Sequence, residues 1–150
     1  MKKTANNLSE FKEILLLQVL PLIRPGTILL LAGPMGAGKT EAVKFLCQQL
    51  KVKEAVSPSF GLQQFYQGSL DGQSLTIQHW DLYRLKEGDE FSSDLESTGF
   101  WDQITDPNAI IFVEWGDRLK IQDLPKGMNV IPLDIMIQTS GQRILIVNKH

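Results

Sequence analysis

The chain of 150 residues is long enough for one domain with a hydrophobic core, and we expect a single domain over residues 1–150. Its 43% hydrophobic and 21% charged residues are ordinary for a globular protein, and its longest apolar runs are too short to span a bilayer. A formal net charge of −2 argues against a protein that binds nucleic acid by itself. A single cysteine excludes an internal disulfide or a zinc cluster. These features predict a cytoplasmic protein with no membrane role.

The first third of the chain predicts a helix, a strand and a second helix. Residues 8–23 are expected to form an amphipathic helix whose apolar face holds Phe11, Ile14, Leu15, Val19 and Leu22. The run TILLLA, residues 27–32, predicts a buried strand. In TEAVKFLCQQL, residues 40–50, apolar residues recur at helical spacing, and Cys47 among them is expected to be a buried core thiol.

The segment GPMGAGKT, residues 33–40, lies between that strand and the second helix and has the G-x-x-x-x-G-K-[ST] pattern of a phosphate-binding loop. Lys39 is expected to reach the outer phosphates and the Thr40 hydroxyl to bind Mg²⁺. Pro34 is unusual in such a loop because it lacks an N–H donor. A glycine-rich turn without a ligand is the simpler alternative, but it does not explain the placement between a strand and a helix. The predicted cofactors are ATP and Mg²⁺, and the loop residues expected to bind them are Gly33, Met35, Gly36, Ala37, Gly38, Lys39, Thr40 and Glu41.

The rest of the chain predicts further strands with one helical region between them. Residues 63–83 read as a hairpin with its turn around Asp71-Gly72, and residues 89–104 suggest one or two short helices. AIIFVEW, residues 109–115, is nearly continuous in apolar character, as expected for a buried parallel strand, and NVIPLDIMIQT and RILIVNK predict two final strands. The predicted fold is α/β: a P-loop NTPase-like, mostly parallel sheet flanked by helices, with antiparallel hairpin additions and the site at the C-terminal ends of the strands.

Two acids at predicted strand ends are candidates to complete a P-loop site, which needs a carboxylate near Mg²⁺ and a group that orients the attacking water. Glu114 ends AIIFVE and is expected beside the P-loop strand, where a Walker B acid lies. Asp81 ends SLTIQHWD, two residues after His79 on the same face; from spacing alone, a helix cap and a satisfied core histidine are favoured over catalysis. Ser57 or Ser59 could meet phosphate or Mg²⁺ as switch segments do, although a plain Ser-Pro turn is the simpler interpretation.

Four motifs together resemble one family. GPMGAGKT, SPSF, HWDLYR and VEW occur in the order and spacing of the bacterial ATPase family TsaE, also known as YjeE. The P-loop is shared by many families, whereas H-x-D-L-Y-R followed by E-W is far more specific. The resemblance implies an ATPase that binds partners TsaB and TsaD. It hydrolyses ATP to support their formation of threonylcarbamoyladenosine next to the anticodon of tRNAs that read codons starting with A. The partners would hold most of the tRNA.

The resemblance also implies roles for individual residues. Lys39, Asp81 and Glu114 match positions expected to take part in catalysis, and Thr40, Asp81 and Glu114 match the expected metal-linked positions. The match raises Asp81 from a helix cap to a candidate for catalysis or metal binding.

Other matched positions surround the nucleotide or depart from the family pattern. Trp115 matches a tryptophan placed near the nucleotide, and Ser59 stands where the family usually has threonine, so its hydroxyl is kept. The family often has an aspartate at the position of Pro34. Whatever role that aspartate has in the family, this chain has no carboxylate at that position to perform it. Tyr83 and Arg84 also match, and Arg84 is a candidate to pair with an acid or to reach phosphate.

Three other functions are alternatives for a protein with a P-loop: a small-molecule kinase, a GTPase and a non-hydrolysing switch. A small-molecule kinase would use an arginine-bearing lid, but the four arginines of this chain are scattered. A GTPase would need a guanine-selecting aspartate after Asn148-Lys149, where the sequence has only His150. A switch that binds ATP and docks without hydrolysing it is the third alternative.

Overall fold

The computed structural model describes residues 1–52 and 62–148. Ser57 and Ser59, the two serines considered as candidates to meet phosphate or Mg²⁺, lie outside the described residues. Within the described ranges, no helix is long and apolar enough to cross a bilayer.

A mixed sheet of seven strands runs through the described part of the chain. The strands are β1 (Lys2–Ala5), β2 (Thr27–Ala32), β3 (Gln63–Leu70), β4 (Gln73–Asp81), β5 (Ala109–Glu114), β6 (Asn129–Ile137) and β7 (Arg143–Val147). Their spatial order is β1-β7-β6-β2-β5-β4-β3. The four central strands, β6, β2, β5 and β4, are mutually parallel, and the β3–β4, β6–β7 and β1–β7 pairs are antiparallel. The predicted α/β fold with antiparallel additions is confirmed.

The two innermost strands, β2 and β5, are nearly continuous apolar runs because both faces of the sheet are covered there. Every residue of β5 is buried. Ile110 and Phe112 pack on one face, with the helix that follows the P-loop, whereas Ile111 and Val113 pack on the other. These two faces form two hydrophobic cores, one on each side of the sheet.

Four α-helices flank the sheet within the described residues: α1 (Leu8–Ile14), α2 (Lys39–Gln49), α3 (Glu90–Ser97) and α4 (Phe100–Gln103). Residues of α1 and α2 belong to the first core, and residues of α3 and α4 belong to the second. The Cys47 side chain is fully buried on α2, as predicted.

The first helical segment is less regular than the sequence predicts. After α1, the chain continues as a π-helical turn, Leu15–Val19, and a 3₁₀ turn, Leu20–Leu22. In an α-helix of about 3.6 residues per turn, each step of four residues rotates a side chain by ~40°. The wider π turn offsets that drift. It thereby keeps Phe11, Leu15 and Val19, which are spaced four residues apart, buried in one row. The predicted helix over residues 8–23 is confirmed in extent but not in regularity.

Strand β1 is an element that the sequence reading missed. Its four residues, KKTA, pair with β7 at the edge of the sheet. Three of the four residues are exposed, so the strand lacks the apolar alternation that identifies strands in a sequence. Its exposed lysines are typical of a protected sheet edge.

Candidate functional site: a P-loop with two acids

The candidate site lies where β2, β4 and β5 end. The P-loop joins the end of β2 to the start of α2, and Glu114, at the end of β5, is in register with Leu31 of β2. Asp81, at the end of β4, is in register with Glu114. The parallel pairing of these strands therefore brings the loop and both predicted acids to one edge of the sheet, where ligands bind in α/β folds.

Two glycines fix the path of the P-loop. Gly33 has φ of 149°, and a Cβ atom there would sit 2.2 Å from the carbonyl oxygen of Ile135. Gly38 has φ of 116°, and a Cβ atom there would sit 3.1 Å from the Phe11 ring. Only glycine tolerates both the backbone conformation and the close approach of a neighbour. The glycines of the motif thus hold the loop against β6 on one side and α1 on the other.

Lys39 is held inside the loop. Its Nζ donates to the carbonyl oxygens of Gly33 at 2.6 Å and Pro34 at 3.0 Å, and only 5% of the residue is exposed. The Trp115 ring lies over the ammonium group, 4.2 Å from Nζ to the ring centroid. Burial lowers the pKa of Lys39, and the negative charges of Glu114, Asp81 and Asp117 oppose that shift. Pro34 thus contributes a carbonyl acceptor to the loop although it lacks an N–H.

Glu114 is the centre of the hydrogen bonds at the strand ends. Its Oε1 accepts from the Thr40 hydroxyl at 2.7 Å, and its Oε2 lies 2.6 Å from Nε2 of His79. Glu114 is 3% exposed and His79 is 1% exposed. Glu114 thus lies beside the P-loop strand, as predicted, and its carboxylate contacts Thr40. His79 is not an isolated core histidine, because it contacts the acid that the sequence singles out.

Asp81 combines two of the environments considered for it. Its Oδ1 accepts from the backbone N–H of Tyr83 at 3.1 Å, so it caps the short 3₁₀ turn Leu82–Arg84. Burial raises the pKa of the Asp81 carboxyl, and the neighbouring charge of Glu114 adds to the shift. Asp81 also lines the same cavity as Lys39, Thr40 and Glu114. The cap and the site position are therefore compatible.

Trp115 forms one wall of the site. It adopts the left-handed backbone conformation, with φ of 59°, which is uncommon outside glycine. Tyr83 packs on its indole with ring centroids 5.3 Å apart, and the Arg118 guanidinium lies 5.3 Å from the ring centroid. Arg118 in turn donates to the carbonyl oxygens of Leu82, Tyr83 and Leu85. The aromatic wall is thus tied to the turn that Asp81 caps.

Two cavities meet across the P-loop, each of about 280 Å³. The near cavity is lined by Met35, Gly36, Gly38, Lys39, Thr40, Glu41, Asp81, Tyr83, Glu114 and Trp115. The far cavity shares Gly36, Gly38 and Glu41, and is otherwise lined by Ala5, Asn7, Leu8, Phe11, Ala37, Gly141 and Arg143.

The structure therefore gathers most of the predicted site residues. Ala37 is fully buried and belongs to the far cavity, while Gly33 lines neither cavity and instead gives its carbonyl to Lys39. Arg84 is exposed and lies outside the residues that line the near cavity.

The sequence reading missed the far cavity. Arg143 donates through Nε to the carbonyl of Ala37 at 2.9 Å and through Nη2 to that of Gly36 at 3.3 Å. This contact joins residues more than a hundred positions apart, and no local motif marks it. The missed strand β1 supplies Ala5 to the same cavity.

Comparison with known proteins agrees with the motifs. The chain matches the family described as "Threonylcarbamoyl adenosine biosynthesis protein TsaE" over residues 4–145. A tRNA threonylcarbamoyladenosine biosynthesis protein TsaE from Streptomyces coelicolor is 35% identical over 124 residues, 82% of this chain and 78% of that protein. The protein of the same name from Nostoc is 37% identical over 95 residues, 63% of this chain, and the match spans 55% of that relative's length.

A solved structure agrees on the fold. The crystal structure of YdiB from Bacillus subtilis superposes with a TM-score of 0.67 over 97% of this chain and 82% of that one, at 24% identity.

The family match covers the P-loop, both strand-end acids and the aromatic wall. The chain therefore belongs to the TsaE family.

Proposed function

We propose that this chain is an Mg²⁺-dependent ATPase subunit that supports formation of N6-threonylcarbamoyladenosine in tRNA. The family description and the names of the relatives assign those proteins to this biosynthesis. The proposed partners are a TsaD-like and a TsaB-like protein, acting in the cytoplasm on tRNAs that read codons starting with A. The net charge of −2 supports contact with tRNA through the complex rather than through this chain alone.

The contact between Thr40 and Glu114 carries the ATPase proposal. These residues lie 74 positions apart in the sequence, yet the hydroxyl and the carboxylate are 2.7 Å apart. A P-loop hydroxyl beside a strand-end carboxylate is the arrangement that P-loop NTPases use to hold Mg²⁺. A glycine-rich turn without a ligand gives no reason for this pairing.

The two cavities support a nucleotide rather than a lone phosphate. Each is slightly smaller than the ~300 Å³ at the lower end of small-molecule pockets, and they share Gly36, Gly38 and Glu41. The near cavity has the lysine, the hydroxyl and the acids, which suit phosphates. The far cavity is more apolar, with Ala5, Leu8 and Phe11, and suits a base and its sugar. We assign the triphosphate to the near cavity and the adenosine to the far one.

The donor set of the near cavity fits Mg²⁺. This ion prefers oxygen ligands and is usually held by one or two protein groups together with phosphates. The Thr40 hydroxyl and the carboxylates of Glu114 and Asp81 are such oxygens, and all three residues line the cavity. When bound, the ion would neutralise charge that develops on the phosphates.

Lys39 and Glu114 take separate roles in this proposal. Lys39, now on the loop carbonyls, supplies a positive charge to the outer phosphates. Glu114 holds a metal-bound water or orients the attacking water, and Asp81 is the second acid at the same edge. Trp115 and Tyr83 form the wall that borders the phosphates.

The first test is the substitution Glu114→Gln, which keeps the shape of the side chain and removes its charge. Hydrolysis is expected to fall by on the order of a hundredfold or more, as for loss of one preorganised electrostatic group. ATP binding should persist because the loop supplies most phosphate contacts. The variant should also hold the TsaB–TsaD pair longer in ATP and fail to sustain repeated tRNA modification. The measurements are phosphate release, a multiple-turnover assay on tRNA and a pull-down in ATP.

Glu96→Gln is the matched control, because Glu96 is exposed on α3 and lies outside the cavity. It should behave as the unmodified protein. Normal turnover by Glu114→Gln would show that Glu114 is structural and would make Asp81 the essential acid. Transfer of phosphate to a small metabolite would favour a kinase, and ATP binding without any hydrolysis would favour a switch.

A further inference from the structure

His79 is buried against Glu114 in a way that a packing role does not require. It lies on β4, next to β5, and its Nε2 is 2.6 Å from Oε2 of Glu114. Its side chain is 1% exposed and that of Glu114 is 4% exposed. The same face of β4 carries Leu75 and Ile77, which pack in the apolar core. An imidazole therefore occupies a place where the strand otherwise presents aliphatic side chains.

The direction of this hydrogen bond follows from the partners of the ring. A carboxylate only accepts, so Nε2 of His79 donates. Nδ1 is buried and has no hydrogen-bond partner among the described residues. A neutral ring with its proton on Nε2 serves the Glu114 bond and leaves a lone pair, rather than an N–H, without a partner.

The two oxygens of Glu114 are thus held by two different elements. Thr40, at the start of α2, binds Oε1, and His79, on β4, binds Oε2. In the proposed function, the Thr40 hydroxyl would bind Mg²⁺ instead, and Oε1 of Glu114 would then be free to hold a water. His79 is then the partner that keeps the carboxylate plane in place.

We infer that His79 is a positioning residue that orients the Glu114 carboxylate toward the reacting water. This inference rests on the proposed ATPase function and deepens it. His79 does not line the phosphate cavity, so its loss should leave ATP binding almost unchanged. Partners of this kind, which orient a functional carboxylate, are typically worth on the order of 10- to 100-fold in activity.

The experiment compares three substitutions at position 79. Glutamine places an amide N–H near the position of Nε2, asparagine is too short to reach, and leucine fills the space without a donor. We expect His79→Leu and His79→Asn to lower kcat for ATP by roughly 10- to 100-fold with KM changed less than about threefold. His79→Gln should recover a clear part of kcat.

Gln78→Leu is the matched control for simple destabilisation. Gln78 precedes His79 on β4, is equally buried, and makes hydrogen bonds to Gln103 and Trp80 on the opposite face of the sheet. It should lower the melting temperature while kcat, measured well below that temperature, stays near normal. If His79→Leu does not fold, the order of kcat between the glutamine and asparagine variants still decides the question.

The outcomes separate the two hypotheses. Absence of hydrolysis in the unmodified protein with its partners would overturn the proposed function itself. Hydrolysis that survives His79→Leu or His79→Asn, or falls equally in the glutamine variant, would overturn the positioning role alone. In a Glu114→Gln background, His79→Leu should cause little further loss of kcat, because it acts through that carboxylate. Independent, multiplicative losses would also overturn it.

Discussion

Trp115 shows how a single residue shapes the site. Its left-handed backbone, φ of 59°, costs on the order of 1 kcal/mol or more for a residue with a side chain. The next residue, Gly116, lies so close to Leu30 that a Cβ atom would be 2.8 Å from the Leu30 Cα. The sharp turn after β5 is thus packed against β2, and it directs the indole over Lys39. The strain at Trp115 lies at the point where the strand ends and the site begins.

Nucleotide binding should change the fluorescence of Trp115. In the structure its ring is 4.2 Å from the Lys39 ammonium, and phosphates that draw this group away would alter the surroundings of the indole. We expect the emission to change on addition of ATP or ADP and the change to be lost in Trp115→Phe.

Trp80 and Trp101 remain in that variant as internal references, because they pack in the second core and line neither of the two cavities. A response that survives Trp115→Phe intact would show that the nucleotide does not approach Trp115.

At this scale, the sequence predicts residues that belong to contiguous motifs. Lys39 and Thr40 follow from the loop pattern, and Glu114 follows from its place at the end of an apolar run. The partners of these residues do not follow. The contact of His79 with Glu114 depends on which strands are neighbours, and the contact of Arg143 with the loop depends on the return of β7 to the sheet. Neither can be read from local spacing.

Among the elements, α2 links the loop to the core. Its buried face carries Ala42, Val43, Leu46 and Cys47. The helix begins at the loop lysine, so packing of this face fixes the direction in which the loop N–H groups point. The elements were predictable where the apolar period was strong, as in α2 and β5. They were not predictable where it was weak, as in β1, or where the backbone changes its winding, as in residues 15–19.

The single cysteine reports the integrity of that packing. Burial raises the pKa of the Cys47 thiol from 9.0 to about 12, and its side chain is inaccessible. At neutral pH the thiolate fraction should be about a thousandfold lower than in the unfolded chain, so a disulfide reagent should react with native protein only through opening. The test follows the rate at which the reagent releases its own thiol on reaction with Cys47, with and without denaturant.

The same shift predicts a pH dependence of stability. Above pH 9.0 the unfolded thiol loses its proton, whereas the folded thiol keeps it until about 12, so the protein should lose stability as pH rises through this window. Cys47→Ala should lack this part of the loss. Fast reaction of the native thiol at pH 7 would show that α2 is not packed as described.

The whole molecule assembles its site from both ends of the chain. The near cavity uses β4, β5 and the loop, whereas the far cavity uses β1, α1 and the region of β7. The strand order places these two groups on opposite sides of β2. A nucleotide that fills both cavities would therefore join the two halves of the sheet, and ligand that binds only the native state stabilises it.

ATP and tripolyphosphate should separate the two halves. At 100 times its Kd, either ligand is expected to stabilise the protein by about 2.7 kcal/mol, seen as a rise in melting temperature. Leu8→Ala trims an apolar wall of the far cavity at a residue that is 53% exposed, so folding should be little affected. It should weaken the binding of ATP by roughly three- to tenfold, because less apolar surface is buried on the base, and leave the binding of tripolyphosphate unchanged.

Two further variants are controls. Leu17→Ala, at a residue 59% exposed and outside the cavity, should change the affinity for neither ligand, whereas Lys39→Ala should weaken the binding of both. Equal loss of ATP and tripolyphosphate in Leu8→Ala would mean that the far cavity does not hold the base and acts only on the loop.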